Sequence, residues 1–184
     1  GHKWLCGPKG TGFLYVRADR LHLLEPPLIG EGAASPPFDR RLLGEDPASA
    51  PWSFVASARR FEYGTRNLHD YAALSVAIEY LGALGWEAIE QHMVAMSAAF
   101  KEALAAEPGV TLYSPWRWED SSGLVTFGVE GWTGEELSRR LWDDYGIIQR
   151  RVQVPDAVRV SCAYFTGPED LERLLAALHG LRRR

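Results

Sequence analysis

Only two cysteines, Cys6 and Cys162, occur in the 184 residues, and neither has a neighbour at metal-ligand spacing. A disulfide framework and a cysteine zinc site are therefore both excluded, and the expected setting is the reducing cytoplasm. No histidine pair has zinc spacing, and no Ser-His-Asp set stands out. No apolar run approaches the roughly 20 residues of a membrane span, so no membrane partner is expected. Positive charge is not in excess: the net charge is -4, which argues against nucleic acid as a partner. Neither of the two methionines stands at position 1, so the chain is expected to be the later part of something longer.

What is present describes a globular protein: 46% hydrophobic residues, 24% charged and seven tryptophans able to bury large areas. The chain opens on Gly1-His2-Lys3-Trp4-Leu5-Cys6-Gly7-Pro8-Lys9-Gly10-Thr11-Gly12. Three glycines after the lysine allow sharp turns or close approach to a ligand. Lys3 reads as a reactive amine or as an exposed loop lysine. The loop lacks the G-x-x-x-x-G-K-[ST] order of a nucleotide-binding loop. Phe13 to Arg17 reads as a buried strand. Residues 18 to 60 are rich in Pro and Gly yet carry Leu23, Leu24, Leu28, Ile29, Phe38, Trp52 and Phe54. They read as an ordered loop region lining a pocket or a subunit contact.

Helical spacing follows from Leu68 to Leu81 and from Trp86 to Leu104, the second ended by Pro108-Gly109. The period then changes. Val110 to Tyr113 and Leu124 to Val129 read as strands, and Thr133 with Glu136 forms a capping box opening a helix that Gly146 closes. Ile147 to Val152 and Ala157 to Ala163 read as strands around a Pro155-Asp156 turn, and Pro168 opens the last helix. The second half is thus a β-β-α-β-β-α unit with helices on one face of a small sheet. The first sixty-odd residues cannot bury a core of their own and need a partner sheet.

Two further places carry chemistry. Gly64-Thr65 offers a backbone amide and a hydroxyl before a helix, suited to an anion or to a simple threonine N-cap. Arg159 lies between Val158 and Val160 on a strand, where its fork fits a carboxylate or an exposed ion pair.

Gly1-His2-Lys3, six residues and then Gly10-Thr11-Gly12-Phe13-Leu14 resemble the lysine signature of the class V aminotransferases, in particular the isopenicillin N epimerase-like branch. Phe61-Glu62-Tyr63-Gly64-Thr65 and Val158-Arg159-Val160-Ser161 resemble two later landmarks of that family. The resemblance implies the C-terminal part of an α/β, fold-type I, pyridoxal 5′-phosphate-dependent transferase fold. Residues 1-67 would end the large cofactor domain, and residues 68-184 would be interdomain helices and a complete small α/β (α+β) domain.

The resemblance further implies that Lys3 forms a Schiff base with pyridoxal phosphate, and that burial and nearby charge lower its pKa. His2 would donate to the cofactor phosphate. Gly64 and Thr65 would reach the phosphate held by the other subunit of a homodimer, and Arg159 would bind the α-carboxylate of an amino-acid substrate, in an enzyme acting on an amino acid or amine. The acid facing the pyridine nitrogen, the ring-stacking side chain and the first phosphate loop would lie upstream of Gly1, so the isolated chain is expected to be inactive. Residues 149 to 156 hold no cysteine where the family's desulfurases carry their nucleophile. Transamination, epimerisation and β-elimination, including carbon–sulfur cleavage, remain. The alternative is a non-catalytic dimerisation or binding module.

Overall fold

A computed structural model describes residues 1-30, 32-35 and 53-182. The chain divides into two compact units, Gly1–Glu79 and Tyr80–Arg184. The division falls within helix α1 (Leu68–Leu84).

In the first unit, a turn in which Cys6 N donates to Lys3 O (3.1 Å) folds residues 1-7 back on themselves. Gly7 N then donates to Gly1 O at 2.9 Å. The loop lies close on α1 at position 7: a Cβ there would stand 2.6 Å from Leu74 Cδ1 and 3.2 Å from Gly1 O. Leu74, on α1, is buried beneath this loop. The expected strand from Phe13 to Arg17 does not form among the described residues. Phe13, Leu14 and Tyr15 are 79%, 71% and 78% exposed. A strand needs an adjoining strand for its backbone bonds, and none of the described residues supplies one.

Between residues 18 and 60 lie short 3-10 turns at Ala18–Leu23 and Ala58–Phe61. The antiparallel pair β1 (Ala34–Ser35) and β2 (Ser53–Phe54) lies between them. Leu23, Leu24, Leu28 and Ile29 are exposed, so the described residues do not bury them. Phe38 and Trp52 lie outside the described residues.

The second unit matches its expected order closely. Gly85, at φ 92°, separates α1 from α2 (Trp86–Ala106). Strands β3 (Val110–Leu112), β4 (Leu124–Val129), β5 (Arg150–Val152) and β6 (Ala157–Ser161) form an antiparallel sheet of order β3-β4-β6-β5. Helices α3 (Gly134–Tyr145) and α4 (Pro168–Arg182) complete the unit.

Both caps of α3 appear as read from sequence: Thr133 and Glu136 form a capping box, and Gly146 adopts the left-handed conformation. Strand β5 is shorter than expected and starts at Arg150, because Ile147 N turns back to Leu141 O at the end of α3. Alternation puts Val125, Phe127, Val158 and Val160 into one core with Phe100, Leu104, Leu141 and Leu178 from the helices. The other face of the sheet carries Arg159. At the far end, the Glu107 carboxylate ties α2 to α4 by accepting from His179 Nε2 (2.9 Å) and Arg182 (2.8 Å). No single helix among the described residues is long and apolar enough to cross a membrane.

Candidate active site

His2 and Lys3 sit on the glycine loop, and both side chains are exposed. The burial expected around Lys3 is therefore not supplied by the described residues. Gly64, at φ 72°, turns the chain into α1. The cap of that helix is Asn67, not Thr65. Asn67 Oδ1 accepts from Asp70 N (3.2 Å), and Asn67 Nδ2 donates to Asp70 Oδ2 (2.7 Å). The capping alternative for Thr65 thus falls away, and its exposed hydroxyl has no partner among the described residues. Thr65 lines a cleft of about 290 Å³ with Lys9, Gly10, Thr11, Arg66 and Asp70, whereas His2 and Lys3 do not.

Arg159, in the second unit, is half-buried and sits opposite Thr126 on β4 and Arg150 on β5. Its Nε is buried without a hydrogen-bond acceptor among the described residues. Such an orphaned donor carries a desolvation cost that an incoming acceptor relieves. The surface ion pair considered for Arg159 is absent among the described residues. Arg150 escaped the sequence reading because its place depends on hairpin register, which residue types alone do not set.

The two thiols differ. Cys162 is wholly buried after β6, and burial pushes its pKa up to about 11. It is a poor nucleophile. Cys6 is exposed, on backbone at φ 54°. Lys101, another basic residue the sequence reading passed over, is 1% exposed inside α2. It donates to Ser121 Oγ at 2.7 Å, and burial lowers its pKa.

Among the described residues no group of His, Cys, Asp and Glu side chains could hold a metal. Among the described residues the first unit carries an amine, an imidazole and a hydroxyl, groups suited to an aldehyde and a phosphate, and the second carries a guanidinium with an unsatisfied Nε, suited to a carboxylate.

The isopenicillin N epimerase of Streptomyces clavuligerus is 32% identical over 98% of this chain and 46% of its own length. A cysteine desulfurase of Pectobacterium carotovorum is 32% identical over the whole chain and 44% of its own. Among solved structures, the apo cysteine desulfurase of Thermococcus onnurineus has a TM-score of 0.81 at 28% identity, over 98% of this chain and 45% of that one. A C-DES mutant with glycine covalently linked to its PLP cofactor has a TM-score of 0.79 at 28% identity, over 97% and 44%. The chain spans less than half the length of these relatives. The family model of class-V aminotransferases matches residues 1–174, and the chain belongs to that family.

Proposed function

We propose that this chain forms part of a pyridoxal 5′-phosphate-dependent enzyme acting on an amino acid or amine. Lys3 would hold the cofactor through its aldehyde, and its amine would move a proton at the substrate α-carbon. His2 donates to the phosphate. Gly64 and Thr65 bind the phosphate held by the partner in a homodimer. Arg159 takes the α-carboxylate. The cofactor, when bound, supplies an electron sink for the carbanion at that carbon. The observation that supports the reading most is the buried Arg159 Nε without an acceptor among the described residues, on a strand of this family's C-terminal unit.

Residues 1-67 are assigned to the large cofactor domain and 68-184 to the interdomain helices and small domain. An upstream segment completes the site, and the 184 residues alone are inactive. The reaction is transamination, epimerisation or β-elimination. Persulfide formation at Cys162 is disfavoured by its burial and its pKa of about 11, although cysteine desulfurases are among the relatives.

The test adds pyridoxal phosphate to the chain with its upstream segment and reads the visible absorbance of cofactor bound to a lysine. A band in the wild type that Lys3→Ala abolishes is expected. No band in the wild type refutes the enzyme reading and leaves a binding or dimerisation module. Pyruvate and ammonia released from S-substituted cysteines, set against amino transfer to a keto acid, then separate elimination from transamination.

A further inference from the structure

The register of the β5–β6 hairpin places Arg150 directly across from Arg159. Partners across an antiparallel pair have Cα atoms about 4.5–5.5 Å apart and side chains on the same face. Arg150 and Arg159 therefore project from paired positions on the face of the sheet away from the helices. Like charges in that relation repel and are unfavourable without a counter-charge.

Among the described residues neither arginine meets a carboxylate. Two acids around the hairpin are engaged elsewhere: Glu135 pairs with Arg151, the residue after Arg150, at 2.6 Å. Asp156, in the hairpin loop, accepts from Gly134 N at 3.1 Å. On its other side Arg159 faces Thr126, which is neutral. The two arginines differ in setting. Arg159 is half-buried with its Nε sealed and unsatisfied, whereas Arg150 is exposed on an edge strand.

Charge counting selects the ligand. One guanidinium fork satisfies the two oxygens of one carboxylate. An amino acid with a neutral side chain brings a single carboxylate and leaves one of the two guanidiniums uncompensated. A substrate with a second acidic group neutralises both. We propose that Arg159 and Arg150 together select a dicarboxylic amino acid, Arg159 taking the α-carboxylate and Arg150 the side-chain acid. The inference rests on Arg159 being the carboxylate site, and it adds a substrate class and a specificity residue to that reading.

The test titrates the full chain with glutarate and with butyrate at constant ionic strength, following the arginine Nε–H signals by NMR. Glutarate should bind on the order of 10-fold more tightly than butyrate. Arg150→Gln should bring glutarate down to the butyrate level and leave butyrate unchanged. Arg150→Lys, which keeps the charge, should retain much of the preference. Arg159→Gln should lose both acids. Equal affinities in the wild type, or a preference that survives Arg150→Gln, overturn the dicarboxylate proposal alone. If neither acid binds, the carboxylate reading of Arg159 falls with it.

Discussion

Replacing Gly134 by alanine should loosen the sheet that carries Arg159. Gly134 is the first residue of α3, and it is pressed against the start of β6. An added Cβ would stand 2.5 Å from Ala157 O, 2.7 Å from Ala157 N and 2.8 Å from Asp156 Oδ1. Ordinary contacts to carbon are nearly an ångström longer, and two of these three atoms are backbone. Ala157 cannot retreat freely, because it pairs with Val152 of β5 and is itself buried.

Overpacking of this kind costs about 1–3 kcal/mol. Moving α3 away also stretches the Gly134 N to Asp156 Oδ1 bond of 3.1 Å, a charge-assisted contact worth about 1.5–3 kcal/mol if it is lost outright. Less conformational entropy at alanine returns roughly 0.5–1 kcal/mol. A net loss of about 2–3 kcal/mol is expected, equal to roughly 30- to 150-fold faster amide exchange for protons that exchange through opening of the unit. Hydrogen exchange of the β4 and β6 amides reads this directly.

Gly82→Ala is the control. Gly82 lies inside α1, and its nearest outside neighbour, Trp86 Nε1, would be 3.6 Å from the new Cβ. It should slow exchange slightly, by a stability gain of about 0.5–1 kcal/mol. If Gly134→Ala exchanges no faster than wild type, the α3–β6 contact is not as tight as argued and the reasoning fails.

Lys101→Met should be neutral or stabilising by about 1 kcal/mol at neutral pH, since it removes a buried charge held by one hydroxyl. The folded pKa of Lys101 is lowered by burial, so the unfolded chain binds the proton more tightly. Wild-type stability should therefore rise as pH climbs through the lowered folded value towards about 10.4, and the variant should lack that rise. Urea unfolding at stepped pH checks both; an identical pH profile in the two proteins would contradict the desolvation argument. For the thiols, a maleimide-type reagent at pH 7 should modify Cys6 and spare Cys162 in the native chain, and should modify both in denaturant. Rapid native labelling of Cys162 would show that its burial and its pKa of about 11 are wrong.

The second unit was nearly legible from residues alone, and the first was not. Thr133, Glu136 and Gly146 mark the ends of α3 by local chemistry, and alternating Val125, Phe127, Val158 and Val160 mark the core face. Such signals depend on neighbours within a turn or a strand. Phe13 to Tyr15 carry the same apolar signal, yet they stay exposed because no described strand lies beside them. The helix start behaved similarly: Gly64-Thr65 and Asn67 are all plausible caps by type, and only the bond from Asp70 N to Asn67 Oδ1 separates them.

By itself the sequence determined the family signature, the candidates Lys3, His2, Gly64, Thr65 and Arg159, and the order of elements after residue 67. Residue type and local spacing suffice for those. Tertiary structure decided that Arg150 stands opposite Arg159, that Arg159 Nε is sealed without an acceptor among the described residues, and that Lys101 and Cys162 are buried. Each of these depends on which distant segments meet, and register and burial are properties of the assembled sheet and core rather than of any residue within it.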